Sequence, residues 1–362
     1  MYSPYLCSVE TNHYGNMKNK LLNLFLGIVG CLLIITCIVL SSVWVGHIPQ
    51  TYTYNEALPK PSNALSWTNM NSSIVQNELI KTIEQRKQEL AAYQAPAGFK
   101  LSFIEIGDSS SSFNMYCLEN EESDKTQASP AILYLHGGGF YFPLTADGIN
   151  SMVYFVKETG AKVFIPDYHT SIESPFPKPL LDCYEAYKYI LDNSIELNIS
   201  PNHILVYGDS AGGCLAASLT QYVRDQNLPN FCGQILIYPV IDNDENYKSI
   251  EEYKDAIWSA NANRHMWETY LKGVTSKNMK YAVPIQMHDL SNLPNAYVEV
   301  AEMDILRDQG LAYADKLKQG GINVLTYEVE GAYHGFDADQ ENKFVRRILE
   351  QRAEIMNEMI RK

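Results

Sequence analysis

The sequence predicts an α/β protein: a mostly parallel, eight-stranded sheet with helices on both faces and a helical cap, preceded by one transmembrane helix. Three observations carry this. Apolar runs of strand length alternate with helix-like stretches, a long uncharged run stands near the N-terminus, and a charged, aromatic segment interrupts the alternation late in the chain. The strand-like runs are residues 101–106, 113–118, 131–135, 161–167, 204–207, 234–239, 297–301 and 324–329. Such alternation favours a parallel sheet covered on both faces, with ligands at the carboxyl ends of its strands. The first two runs are an exception, because residues 109–112 between them read as a hairpin turn.

The 362 residues carry 42 acidic and 28 basic side chains, a net charge of -14, and are 46% hydrophobic. This acidity argues against nucleic acid as a partner and against an electrostatic grip on anionic lipid. Residues 21–46 contain no charged side chain and exceed the roughly 20 residues needed to cross a bilayer, so they predict a signal anchor in a membrane. A cleavable signal peptide has a shorter core of about 7 to 15 residues and a small-residue exit, which Ser41 to His47 lack. Ile28-Val29-Gly30-Cys31 superficially matches a lipoprotein cleavage site, but the apolar run continues past Cys31. Lys18 and Lys20 precede the run, and no Lys or Arg follows before Lys60. The positive-inside rule then makes residues 1–20 a short cytoplasmic tail and puts the remainder outside the cell or in a lumen. Met17 also reads as a natural start, which would leave residues 1–16 outside the mature chain. Residues 47–72, rich in Pro, Asn, Ser and Tyr, predict a stalk, and residues 73–362 suffice for one domain with a buried sheet.

Chemistry concentrates in a few short segments. Gly208-Asp209-Ser210-Ala211-Gly212-Gly213 ends one strand-like run and opens a helix-like stretch. A sharp strand-to-helix turn of this kind holds its serine in a sparsely populated backbone conformation, with the hydroxyl over the end of the sheet. Alone the signal is moderate, since Gly and Ser are ordinary turn residues. Upstream, residues 131–135 run into His136-Gly137-Gly138-Gly139-Phe140. Three glycines cost backbone entropy, and in return their amides approach a reacting oxygen with no side chain in the way.

A nucleophilic serine needs a base and the base needs an acid, which follow in the order Ser, Asp or Glu, His in this architecture. Of the eight histidines only His265, His288 and His334 follow the serine. His334 stands in a loop after the alternating run 324–329, whereas His265 and His288 lie in polar, helix-like sequence and read as solvated. Asp304, just past 297–301, is the favoured acid. Asp308 is the alternative, although its position suits the cap or first turn of the next helix, and Glu302 is the outside candidate.

Together these segments resemble the hormone-sensitive-lipase family of α/β-hydrolases, the family IV carboxylesterases, which include membrane-bound arylacetamide deacetylase-like esterases. The resemblance rests on His136 to Phe140, Gly208 to Gly213, the Asp-x-Leu-x-Asp pattern from Asp304 to Asp308, and His334-Gly335-Phe336, with a degraded fourth segment from Asp167 to Pro177. It covers roughly residues 75–362 and implies an α/β-hydrolase fold. It further implies Ser210 as nucleophile, His334 as base, Asp304 as its orienting acid, and the amides of Gly138, Gly139 and Ala211 as oxyanion hole. The implied activity is serine carboxylesterase or deacetylase action on a small-molecule ester, with short-to-medium acyl or acetyl groups, no cofactor and no metal. His169 stands where the family usually has arginine and Cys214 where it often has asparagine.

Phe140 and Tyr141 are candidate substrate contacts, with plain loop packing as the alternative. Residues 73–94, with Ile74, Val75, Leu79, Ile80, Ile83 and Leu90 on one helical face, and residues 242–288 supply the expected cap. The aromatic side chains of the second segment, Trp258, Trp267 and Tyr270 among them, read mostly as the cap's own core. Two other functions compete: a non-catalytic binding protein of this fold, which characteristically loses a member of the triad, and a serine peptidase, which the short cap disfavours. The seven cysteines, Cys7, Cys31, Cys37, Cys117, Cys183, Cys214 and Cys232, scatter without a disulfide framework. Asn71-Ser72-Ser73 and Asn198-Ile199-Ser200 match the N-glycosylation pattern.

Overall fold

Runs rich in Val, Ile and Leu bury both of their faces only in the middle of a sheet, and that is where they lie. The computed structural model describes residues 52–60, 73–108 and 111–361. Its strands are β1 (Phe99–Asp108), β2 (Ser111–Asn120), β3 (Ser129–Leu135), β4 (Lys162–Pro166), β5 (Ile199–Asp209), β6 (Gly233–Ile237), β7 (Ala296–Ala301) and β8 (Val324–Val329). They form one sheet in the order β1-β2-β4-β3-β5-β6-β7-β8. β1 and β2 are an antiparallel hairpin and β2 meets β4 antiparallel, while every pair from β4 to β8 is parallel. All residues of β6 and β7 are buried, as expected of strands covered on both faces.

The helices are α1 (Ser73–Ala92), α2 (Ala146–Thr159), α3 (Lys178–Asp192), α4 (Ala211–Asp225), α5 (Lys248–Glu252), α6 (Ala260–Tyr270), α7 (Met279–Ala282), α8 (Arg307–Gln319) and α9 (Lys343–Ile360). Side-chain oxygens of Thr145, Ser259 and Asn342 accept main-chain amides at the starts of α2, α6 and α9, satisfying donors that a helix start leaves free. The core is divided by the sheet. One side gathers Leu180, Leu215, Leu219 and Tyr313 from α3, α4 and α8, and the other gathers Phe155, Val156, Leu349 and Met356 from α2 and α9. Met266, Trp267 and Tyr270 of α6 are buried, as the core reading of those residues expects. Leu79 and Leu90 of α1 are buried too, but Ile80 is 49% exposed, because one residue turns the helix away from the face Leu79 occupies.

Residues 52–60 depart from the expected stalk. The compact unit begins at Tyr52, and Leu58 is buried in the second core cluster. The anchor at 21–46, the tail at 1–20 and Asn71 lie outside the described residues; among those described, no helix is long and apolar enough to cross a membrane. Asn198, in the second glycosylation pattern, has its side-chain amide donated to the carbonyls of Lys125 and Gln127, both at 3.2 Å. A glycan on that nitrogen has to break this pairing. Cys117, Cys183, Cys214 and Cys232 are free thiols.

A buried charge network ties α9 to the sheet. Arg352, 1% exposed, donates to Glu299 at 2.5 and 3.1 Å, to Asp337 at 2.6 Å and to the Tyr207 hydroxyl at 3.2 Å. Removing one partner from a buried ion pair leaves the other charge uncompensated. Arg352→Met is therefore expected to destabilise the fold by about 3–5 kcal/mol in urea unfolding, and adding Glu299→Gln to recover part of that loss. A double variant no more stable than Arg352→Met argues against uncompensated charge as the cause.

Candidate active site

Only Ser210 separates β5 from α4, and the chain reverses direction there at φ 54°, ψ -120°. Such a conformation is strained for any side chain with a Cβ and persists only where the surroundings hold it. Its amide donates to the Ile237 carbonyl at 2.9 Å, and its carbonyl accepts from Val240 at 3.0 Å and Cys214 at 3.3 Å. The flanking glycines are set by close approach: a Cβ on Gly208 would stand 2.1 Å from the Gly212 carbonyl oxygen, and one on Gly212 would stand 1.9 Å from that of Leu135. The small residues around the serine thus follow from the turn lying against the end of β3.

His334 arrives from the loop after β8. Its Nε2 is 2.9 Å from Ser210 Oγ and its Nδ1 is 2.7 Å from Asp304 Oδ2. With Nδ1 donating to the carboxylate, Nε2 is left to accept from the hydroxyl. All three side chains are buried: Ser210 is 6% exposed, His334 7% and Asp304 0%. Asp304 also accepts from the Leu306 amide at 3.1 Å, and the two loops are joined by Met303 N donating to Ala332 O at 2.8 Å.

The other acids are engaged elsewhere. Asp308 lies in the first turn of α8, pairs with Arg307 at 2.8 Å and accepts from the Ser249 amide at 2.8 Å. Glu302 accepts from the Gly331 amide at 2.6 Å, bracing the His334 loop from behind. His265 contacts Glu268 at 2.9 Å on α6, and His288 is exposed.

The glycine loop rests directly on the serine turn: a Cβ on Gly137 would lie 3.2 Å from the Cβ of Ser210. The amides of Tyr141 and Phe142 donate to the Gly138 carbonyl at 3.0 and 3.1 Å, closing the loop on itself. Among the described residues no acceptor meets the amides of Gly138 or Gly139. Ala211 is the first residue of α4, where an amide has no intrahelical partner. His136 is stacked on Tyr168 with ring centres 4.2 Å apart, and the Tyr168 hydroxyl donates to the His136 carbonyl at 2.7 Å. Burial lowers the His136 pKa to about 4, so this ring is a neutral prop for the loop.

The two candidate substrate contacts part company. Phe140 is fully buried and stacked on Tyr270 at 3.8 Å, so it joins the glycine loop to α6 as packing. Tyr141 lines a cavity of about 360 Å³ with Leu79, Ile172, Pro175 and Thr269, and its hydroxyl donates to Thr269 at 3.3 Å. A second cavity of about 520 Å³ borders Gly138, Asp209 and Arg352 but not Ser210. His169 is 2.7 Å from Asp182, and Cys214 directs its thiol at the Ala282 carbonyl at 3.6 Å.

Two neighbours of His334 escaped the sequence. Tyr238, at φ 32°, packs edge-on against His334 with ring centres 4.8 Å apart, and Trp258 lies 5.9 Å from it. Trp258 also covers Gly139, where a Cβ would meet its ring at 3.0 Å. Tyr238 carried a weak signal, following the buried end of β6; Trp258 carried none beyond being an aromatic residue of the cap.

Residues 132–338, which hold all three residues of the hydrogen-bonded set, match the family described as alpha/beta hydrolase fold, and the chain belongs to it. Lipase 2 of Moraxella sp. (strain TA144) is 34% identical over 247 residues, covering 60% of this chain and 57% of that protein. The arylesterase of Saccharolobus solfataricus is 32% identical over 210 residues, 57% of this chain and 67% of that one. The match thus spans less than two thirds of the length of Lipase 2. Among solved structures, a bacterial heroin esterase superposes with a TM-score of 0.70 at 26% identity, over 84% of this chain and 95% of its own. A thermostable esterase from Pseudomonas putida ECU1011, at 20% identity and a TM-score of 0.72 over 85% of this chain and 98% of its own, shares the fold.

Burial raises the Asp209 carboxyl to about 6 from 3.8, against the hydrogen bond it accepts from Tyr134 at 2.8 Å. The folded state therefore binds this proton more tightly than the unfolded chain does. Its contribution to stability is full below about pH 4 and is lost as pH rises through about 6. Asp209→Asn is expected to gain melting temperature relative to the parent as pH rises across this window. A constant difference from pH 4 to 7 contradicts the buried-proton explanation.

Proposed function

We propose that the protein is a serine carboxylesterase or deacetylase that hydrolyses small-molecule esters with short-to-medium acyl or acetyl groups. The observation that carries this reading is the run of two hydrogen bonds, Ser210 to His334 at 2.9 Å and His334 to Asp304 at 2.7 Å, beside the amides of Gly138 and Gly139, which meet no acceptor among the described residues. That Lipase 2 of Moraxella and the Saccharolobus arylesterase are named as ester hydrolases supports it.

In the proposed reaction His334 Nε2 takes the Ser210 proton as Oγ attacks the ester carbonyl carbon. Asp304, fully buried, holds the ring in orientation and stabilises the imidazolium that forms. The carbonyl oxygen becomes an oxyanion that accepts from the amides of Gly138, Gly139 and Ala211. Collapse of this intermediate expels the alcohol, which leaves with the proton that His334 returns. Water then repeats the sequence on the acyl-enzyme, with His334 as base, and releases the acid.

The apolar run at 21–46, with Lys18 and Lys20 just before it and no Lys or Arg after it before Lys60, supports a single-pass anchor of the kind found in membrane-bound arylacetamide deacetylase-like esterases. The N-terminus is then cytoplasmic and the catalytic domain extracellular or lumenal.

Hydrolysis of p-nitrophenyl acetate and butyrate by the full-length protein tests the chemistry. Ser210→Ala and His334→Ala are each expected to lower kcat by about 10⁴- to 10⁶-fold, and Asp304→Asn by about 10⁴-fold. A parent protein with no turnover, or a Ser210→Ala variant with equal turnover, returns the chain to the non-catalytic binding class. Anchoring is tested by alkaline carbonate extraction of membranes: the full-length chain is expected in the pellet and a chain lacking residues 21–46 in the supernatant. Full-length protein in the supernatant contradicts the anchor.

A further inference from the structure

Residues 52–60, expected to be stalk, form a strap across the loop that carries His334. The Asn55 amide donates to the Gly331 carbonyl at 3.0 Å and its side chain to the Glu330 carbonyl at 3.3 Å. The Tyr333 hydroxyl donates to the Pro59 carbonyl at 2.8 Å, and Asn342 donates to the Ala57 carbonyl at 3.0 Å. The strap thus touches the chain on both sides of His334. Contact at Gly331 is too close for any side chain: a Cβ there would stand 2.7 Å from the Cβ of Asn55 and 2.9 Å from its nitrogen.

The other edge of the strap holds the cap. The Tyr54 ring stands edge-on to Tyr333 at 5.0 Å and packs on Tyr52 at 6.3 Å, with its hydroxyl facing the main chain of Ile257. Tyr52 packs on Tyr253 at 5.6 Å and accepts from the Asp255 amide at 3.3 Å. The next residue after Ile257 is Trp258, which returns to the His334 ring and covers Gly139. Contacts therefore close a circuit from the base loop through the strap to the cap and back to the base and the oxyanion loop. Burial pushes the Tyr54 hydroxyl up to about 12, so it remains a neutral hydrogen-bonding group over any working pH.

We propose that this strap, through Tyr54, is a positioning element of the catalytic site, setting the place of the His334 loop and of Trp258 together. The inference rests on the reading of Ser210 and His334 as nucleophile and base. Tyr54 touches neither substrate nor reacting atoms, and its effect belongs in kcat more than in KM.

The test uses the full-length chain with p-nitrophenyl butyrate, comparing the parent, Tyr54→Ala, Tyr54→Phe and Tyr116→Ala. Tyr116 supplies the control, because it packs against Phe103 on the β1–β2 hairpin at 6.0 Å, at the opposite end of the sheet from β8, after which the strap binds. Well below every melting transition, Tyr54→Ala is expected to lower kcat about 10- to 100-fold, the scale of a misplaced catalytic group. KM should stay within about threefold. Tyr54→Phe keeps the ring on Tyr333 but removes the hydroxyl that faces the Ile257 main chain, so a loss of about two- to tenfold is expected, and this milder variant decides the matter if Tyr54→Ala does not fold. Tyr116→Ala should retain the parent kcat whatever its melting temperature. Unchanged kcat in both Tyr54 variants, or losses matched by Tyr116→Ala, overturns the positioning role. A parent without esterase activity instead overturns the functional reading on which the role stands.

Discussion

The strained turn at Ser210 is the constraint on which the rest of the site depends. A non-glycine residue at φ 54° holds there only because strands on either side over-determine it: β3 stops where Gly212 must pass, and β6 supplies the Ile237 carbonyl that fixes the serine amide. Strain of this type costs about 1–3 kcal/mol, which the surrounding parallel sheet supplies. In return the serine stands at a rigid apex at the N-terminus of α4, and the glycine loop after β3 seats itself within contact distance of the serine Cβ. A parallel sheet delivers all of these from the carboxyl ends of its strands, so the serine turn, the Gly138 and Gly139 amides, Asp304 after β7 and His334 after β8 lie along one edge.

Ser210 and His334 have different mechanical support. Ser210 is held by the sheet itself, whereas His334 sits on a loop, and loops are placed by whatever packs on them. Four supports meet there: the turn at Asp304 through Met303 and Glu302, Tyr238 edge-on to the ring, Trp258 from the cap, and the strap from residues 52–60. Behind them the Arg352 network fixes Asp337, which accepts from Tyr238 at 2.6 Å. Burial of His334 thus has a chain of named causes that leads from α9 to the imidazole.

Much of this was legible in the sequence, and the reasons differ by element. The strands were legible because continuous apolar runs between turn residues leave few alternatives. The serine turn and the glycine loop were legible because close backbone approach admits only glycine, a steric fact that survives any change in distant sequence. Asp304 stood ahead of Asp308 on position alone, and the 2.7 Å contact with His334 distinguishes them. The strap was hidden for a physical reason: it binds through main-chain groups and ring edges, so it has neither the period of a helix nor that of a strand. Phe140 was ambiguous because its partner, Tyr270, lies far along the chain, and only the folded cap decides that the ring packs and does not line a pocket. The Ile80 side chain was misplaced because an apolar residue at the margin of a helical face need not be covered.

The most direct measurement is covalent. Full-length protein is treated with a p-nitrophenyl phosphonate ester, which mimics the tetrahedral intermediate, and the modified residue is located by peptide mass spectrometry. One phosphonyl group per chain on the peptide bearing Ser210, formed at the rate at which activity is lost and absent in His334→Ala, is the expected result. Inactivation with the group on another residue, or full activity retained after Ser210 is modified, contradicts Ser210 as the nucleophile.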